Sequence, residues 1–296
     1  MHASLCCIQH DAAHIIVLRP EEIVRYSPDV VCLQEVDAFS DFLEPELAKH
    51  DYAGVWQKKT ERKQDGVAIF WKAQNFVLEA REHCEYQLKD GVGLFVRLNH
   101  KGGKPICVAN THLFWNPAME YIKLFQSEIY LNRAAAFAGG NPLVVCGDLN
   151  SMPGSDCFNL YTKQQVTHTF TPVQQDDEAT GQVCSQDTAV TQVYSHPLAL
   201  RPAYDPLPQF TTLTDDFRGT LDHIFLTPQL ASHAHLEMFD EKVILEVRTR
   251  PDLASPDLHG CSRCQPHDTC PWQEKSLPSS RYPSDHMACM VLVEIC

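Results

Sequence analysis

Apolar residues in this chain gather in short, nearly unbroken runs: Val30–Leu33, Gly66–Trp71, Gly93–Leu98, Ile106–Ala109 and Leu143–Cys146. Each run is bounded by polar, Gly or Pro residues, the pattern of strands buried on both faces. Further strands are expected at Phe76–Leu78, Gly219–Leu226 and Met287–Ile295, with Val243–Val247 as another candidate. The turn Lys101–Lys104 should join Gly93–Leu98 and Ile106–Ala109 into a strand pair. Helical signals lie between these runs. Pro20 can open a short helix to Tyr26. Phe39–Ala48 reads as amphipathic, and Met119–Phe137 repeats Ile122, Phe125, Ile129 and Ala136 at helical spacing. Pro153-Gly154-Ser155 should precede another short helix. Residues 162–209 and 250–280 show little periodicity and are expected as irregular surface connections. Residues 1–19 are apolar at Leu5–Ile8 and Ile15–Leu18 but fit no clear element. The mixture of strands and helices gives an α/β class.

Composition narrows the functional classes. With 296 residues, 44% of them hydrophobic, the chain can bury the core of one large domain. A formal net charge of −14 argues against a protein held to nucleic acid by bulk charge. It leaves open a nuclease in which a divalent cation supplies positive charge locally. The basic cluster Lys58, Lys59, Arg62 and Lys63 is expected on a solvated loop. Among 13 cysteines, Cys32, Cys107, Cys146 and Cys289 fall inside strand-like runs and are expected as small buried hydrophobes. The N-terminus has neither a basic leader nor a long apolar run, and no stretch approaches membrane-spanning length. The expectation is a reducing intracellular compartment, the cytoplasm first, with nucleus and mitochondrion as alternatives, and no membrane partner.

Candidate chemistry sits where strands end, the place catalytic groups collect in sheet-based enzymes. There are five such sites: Gln34-Glu35, Asn110-Thr111-His112, Gly147-Asp148-Leu149-Asn150, Leu221-Asp222 and Ser284-Asp285-His286. Each alone is equally an Asx turn or a solvated strand end. Together they hold what phosphodiester hydrolysis needs. Carboxylates can bind a hard cation, a base can orient water, and His or Asn donors can stabilise charge on phosphate.

The five sites, in this order, resemble the LQEV, NTH, GDLN, LD and SDH signatures of the endonuclease/exonuclease/phosphatase superfamily, over roughly residues 21–296. The resemblance implies a four-layer α/β/β/α sandwich of two mixed sheets with outer helices. Residues 20–296 would form that domain, 1–19 a divergent N-terminus, and 250–280 a Cys-rich insertion. Three stretches look like the branch of CCR4-type deadenylases, nocturnin, Angel proteins and 2′,5′-phosphodiesterase 12: Val31–Asp37, Val108–Pro117 and Asp216–Phe225. Tyr121–Leu124 and Phe39–Asp41 lean toward the 2′,5′-phosphodiesterase member.

By position, the resemblance makes Glu35 the main ligand of Mg²⁺, with Mn²⁺ as an alternative, and puts Asp285 on the metal side. His286 would contact the scissile phosphate, oriented by Asp222. His112 would stabilise the transition state, Asp148 would position or deprotonate water, and Asn150 would hold phosphate. Asn110 is placed with the substrate-binding residues, and Pro117 and Phe217 would flank an adenine ring. The implied reaction releases 5′-AMP from the 3′ or 2′ end of RNA or oligoadenylate; no protein partner is implied. The alternatives are a non-catalytic RNA-binding relative and a phosphodiesterase of the same superfamily with another substrate.

Two departures stand out. Family members carry an Asn-bearing strand, in a context like YNIL, before LQEV. No such motif is found here, so the first family strand is expected to be missing, by truncation or degeneration, with Gln9 and Asp11 the residues available in its place. The second departure is Cys261, Cys264, His267 and Cys270, whose compressed spacing offers a Zn²⁺ site beside the plainer reading of a Cys-rich surface insertion.

Overall fold

The computed structural model describes residues 2–9, 20–101, 103–172, 188–214, 216–235, 286–287 and 289–295. In chain order its strands are β1 (His2–Gln9), β2 (Val30–Val36), β3 (Tyr52–Lys58), β4 (Gly66–Lys72), β5 (Phe76–Glu85), β6 (Val92–His100), β7 (Pro105–His112), β8 (Leu143–Asp148), β9 (Gln165–Phe170), β10 (Val190–Ser195), β11 (Arg201–Pro202), β12 (Thr212–Leu213), β13 (Arg218–Gly219), β14 (Asp222–Leu226), β15 (Leu230–His235) and β16 (Cys289–Ile295). The helices are α1 (Pro20–Tyr26), α2 (Glu44–Ala48, entered through a π-turn at Phe39–Leu43), α3 (Glu120–Ala138) and α4 (Asp156–Lys163).

Two six-stranded sheets dominate, ordered β15-β16-β1-β2-β4-β3 and β11-β14-β8-β7-β6-β5. Each has a parallel pair at its centre, β1 with β2 and β7 with β8, and antiparallel neighbours on either side. A parallel pair needs a crossover rather than a hairpin, and α3 lies on the one from β7 to β8.

Alternation along the strands builds three apolar layers. Val30 and Cys32 of β2, with Val144 and Cys146 of β8, point between the sheets. Val31 and Leu33 point outward beneath α1 and α2, packing with Ile23, Leu43 and Leu47. Val145 and Phe225 point outward beneath α3 and α4, packing with Leu124, Leu131 and Leu160. With both faces covered, the strands read as unbroken apolar runs, and the four-layer sandwich follows. Cys32, Cys107, Cys146 and Cys289 are buried in these layers, as expected. Among the described residues no helix is long and apolar enough to cross a membrane.

The main correction concerns the strand expected to be missing. β1 occupies the centre of its sheet, antiparallel to β16 and parallel to β2. Its backbone needs no family motif to pair; a short segment with the apolar run Leu5–Ile8 beside two strands is enough. Its last residue, Gln9, stands in register with Gln34, next to Glu35. The second correction is in residues 162–209, which hold the antiparallel β9–β10 ribbon rather than only irregular chain. Here half-exposed Thr, Gln and His alternate with few apolar residues, so the period-2 signal is weak. Val243–Val247 and all of residues 250–280, with the four Cys and His residues considered for zinc, lie outside the described residues.

Candidate active site

The two parallel pairs end at the same edge of the sandwich, and the polar strand ends meet there. His112 closes β7 directly beside Asp148, the end of β8. Asp148 in turn pairs with Asp222, the start of β14. Gly147 makes the close approach possible, since a Cβ there would fall 2.1 Å from the Thr111 carbonyl oxygen. Asp148, Asp222, His112 and His286 are all buried.

Hydrogen bonds orient the cluster. His286 Nδ1 lies 2.7 Å from Asp222 Oδ2. That pairing makes Nδ1 the protonated nitrogen, with Asp222 as acceptor. Asp222 Oδ1 is buried and has no hydrogen-bond partner among the described residues. Asp148 Oδ1 accepts the Asn150 N–H at 2.8 Å, and Asp148 Oδ2 lies 3.5 Å from His112 Nε2. Asn150 adopts a left-handed backbone, φ 48°, which Asn tolerates better than most residues. Its Nδ2 donates to the Leu113 carbonyl at 3.0 Å, and Lys123 Nζ donates to its carbonyl at 2.7 Å. The segment is therefore both an Asx turn and a part of the cluster.

Glu35 arrives from the other sheet. A register shift between Leu33 and Val36 bulges β2, and Glu35 takes φ 56° within it. Left-handed backbone is unfavourable for Glu and persists only where the surroundings hold it. The bulge leaves the carboxylate a quarter exposed, with Oε1 3.9 Å from His112 Nδ1.

Burial governs the charges. It pushes the Asp148 carboxyl up to about 7; Asp222 and Glu35 add to this, while His286 and the Asn150 N–H oppose it. Burial also holds His112 well below the ordinary histidine range, reinforced by Lys59, His286 and Lys63. His112 is therefore a neutral imidazole near pH 7.

The donor set fits a hard divalent cation. One ligand atom each from Asp148, Asp222 and His286 lie within 4.8 Å of one another, and among the described residues one Asp222 oxygen has no hydrogen bond. Carboxylate oxygens are what such ions take. Asp285, expected on the metal side, lies outside the described residues.

Two sequence expectations need correcting. Asn110 is fully buried and does not face substrate. Its Oδ1 accepts from Gln34 Nε2 at 2.6 Å, and its Nδ2 donates to the Leu33 and Ala68 carbonyls at 2.9 and 3.0 Å. It ties the two sheets together behind the site. Lys59 is not solvated: its ammonium contacts Asp65 at 2.6 Å and His112 Nδ1 at 3.3 Å. No local pattern distinguishes it from Lys58 or Lys63.

Pro117 and Phe217, expected to flank a ring, are both exposed. Phe217 is held against Met152, just past the turn that follows β8. A Cβ on Gly219 would fall 2.4 Å from Met152 Sδ and 2.6 Å from Phe217 Cζ, so the ring lies over Gly219 beside Met152. Trp115 is also exposed on the chain following His112.

A sandwich whose two sheets deliver carboxylates, imidazoles and an Asn to one edge is the arrangement of a hydrolytic enzyme. The protein belongs to the Endonuclease/Exonuclease/phosphatase family, whose pattern matches residues 20–286, and its sequence is similar to Ccr4-type proteins. The CCR4-Not complex 3′-5′-exoribonuclease subunit Ccr4 of Candida glabrata is 29% identical over 252 residues, covering 71% of this chain and 28% of that protein. Carbon catabolite repressor protein 4 homolog 1 of Arabidopsis thaliana is 30% identical over 305 residues, covering 79% of this chain and 48% of its own length. The chain thus spans less than half of these relatives. Among solved structures, ANGEL2, described as a 2′,3′-cyclic phosphatase, has a TM-score of 0.75 at 23% identity, covering 99% of this chain and 95% of that one. The human Nocturnin catalytic domain with bound sulfate has a TM-score of 0.66 at 21% identity, covering 100% and 95%. At these identities the two structures establish the shared fold.

Proposed function

We propose that the protein is a Mg²⁺-dependent phosphodiesterase that removes 5′-AMP from the end of adenylate chains. The observation that carries this reading is the Asp148–His112 and Asp222–His286 arrangement on adjoining strands, with Glu35 beside it. A binding module has no use for two buried carboxylates crowded at one corner. The likeness to Ccr4 exoribonucleases supports RNA as the substrate class.

Each group has a role its geometry suits. Asp148 takes a proton from the attacking water or aligns it, with Oδ1 fixed by the Asn150 N–H. His286, held through its Nδ1–H by Asp222, is the proposed donor from Nε2 to a phosphate oxygen when the ring carries both protons. His112, neutral and buried, donates from Nε2 as charge builds on phosphate. Glu35, with Asp285, is the proposed main holder of Mg²⁺, at the edge of the Asp148–Asp222 carboxylate corner; the ion when bound would neutralise phosphate charge. Asn150 contributes its remaining amide N–H. Pro117 and Phe217 flank the terminal adenine, selecting the base by stacking rather than by groove reading. Linkage is the open variable, either 3′-5′ or 2′-5′.

The test is product analysis on oligo(A) with folded protein. The reading expects 5′-AMP with Mg²⁺ and none with EDTA. Uncut oligo(A) in the presence of Mg²⁺ would count against it and favour a non-catalytic relative.

A further inference from the structure

Lys59 follows directly on β3 and enters the seven-residue connection to β4 that closes at Asp65. Its backbone N–H donates to the Asp65 carbonyl at 3.0 Å, and its ammonium pairs with the Asp65 carboxylate at 2.6 Å. The next residue, Thr60, donates to the Asp90 carbonyl at 3.1 Å, and Lys63 reaches Asp90 Oδ2 at 3.6 Å. The connection is thus pinned at its base and along its length. The Lys59 side chain is 10% exposed and points inward, its Nζ 3.3 Å from His112 Nδ1.

That contact has one chemical meaning. An ammonium only donates, so the ring nitrogen it meets must carry a lone pair. In a neutral ring the proton is then on Nε2. The other neighbour of Nδ1 argues the opposite way: Glu35 Oε1, 3.9 Å off, only accepts and would draw a proton onto Nδ1. Lys59 is the closer of the two and decides the outcome. The consequence lands on the far side of the ring, where Nε2 faces Asp148 Oδ2 at 3.5 Å. With the proton on Nε2 the ring donates toward Asp148 and toward phosphate. With the proton on Nδ1, a lone pair would face a carboxylate and no donor would remain.

We propose that Lys59 is a positioning residue that fixes His112 as its Nε2–H tautomer, so that the ring presents a donor to the reacting phosphate. The turnover consequence rests on the function proposed above; the tautomer itself does not, and can be read in protein without substrate.

The experiment is ¹⁵N NMR of histidine-labelled protein, with the His112 ring assigned by difference from His112→Gln. Wild type and Lys59→Arg, in which a donor-only group is kept, should show Nε2 protonated and Nδ1 bare. Lys59→Met should move the proton to Nδ1, and on oligo(A) its kcat should fall roughly tenfold to a hundredfold with KM little changed. A wild-type spectrum with the proton on Nδ1 overturns the proposal, even if Lys59→Met fails to fold. So does an unchanged tautomer in folded Lys59→Met, or a Lys59→Met enzyme altered only in KM, which would make Lys59 a substrate contact instead. If oligo(A) proves not to be a substrate, the tautomer shift alone decides.

Discussion

Asp148 and Asp222 stand directly opposite one another across the β8–β14 ladder, so that two buried carboxylates share one corner of the site. The Asp222 charge adds to burial in pushing the Asp148 carboxyl up. The arrangement suits a site that gathers positive charge when it works and is strained when it does not. Asp148→Asn should therefore abolish turnover, by roughly a thousandfold or more, while stabilising metal-free protein by about 1 kcal/mol. Steady-state assays beside thermal melts in EDTA check both parts; a variant that is inactive and also less stable would remove the strain argument.

The same carboxylate sets a pH dependence. Its folded-state pKa, about 7, lies above the unfolded value. It therefore favours the metal-free fold at low pH, and that contribution is lost as pH rises through about 7. As the base it must be ionised, so kcat/KM should fall with decreasing pH below that range. The profile should flatten in Asp148→Asn.

His196 gives the opposite stability trend, away from the site. Its Nε2 donates to the Leu160 carbonyl at 2.9 Å and its Nδ1 accepts the Leu198 N–H at 3.2 Å, so the buried ring is fixed as neutral. Burial lowers its pKa. Its contribution is complete above the unfolded value of about 6.5 and is lost as pH falls below it. His196→Gln should lessen the loss of stability on acidification, as read by denaturant unfolding at a series of pH values.

Adding Mg²⁺ should raise the melting temperature, because the ion binds the native site and not the unfolded chain. Glu35→Gln should remove most of that rise and most activity while leaving the metal-free melt close to wild type. An undiminished Mg²⁺ shift in Glu35→Gln would move the ion elsewhere.

Base preference should follow Phe217. Phe217→Ala removes a stacking face, worth about 1–3 kcal/mol per base, so the preference for A over other terminal bases should fall about tenfold. Gly219→Ala should act in the same direction, because its Cβ would displace the Phe217 ring and Met152. Competition between oligonucleotides differing only in the last base reads both.

Much of the site was legible because the fold concentrates it at the ends of strands whose apolar runs are unbroken. Glu35, His112, Asp148 and Asp222 each stand within three residues of the end of a well-marked run, and both sheets present those ends at one edge. What the sequence hid depends on contacts between distant segments. β1 looked unplaceable because its partners, β2 and β16, lie far along the chain. Asn110 looked like a strand-end site residue, but alternation turns it inward against Leu33 and Ala68. Lys59 was one of several lysines on a charged loop until folding brought it to His112. β3, half-buried with Gly54 and Gln57 in it, has too mixed a pattern to read as a strand.

The most direct measurement is 5′-AMP release with Mg²⁺ from A-tailed RNA, 2′-5′ oligoadenylate and RNA without adenosine, by wild type and Asp148→Ala. Wild type should release AMP from at least one of the two adenylate chains and spare the third substrate, and Asp148→Ala should release none. Equal degradation of all three substrates by both proteins would contradict an adenylate-directed active site centred on Asp148.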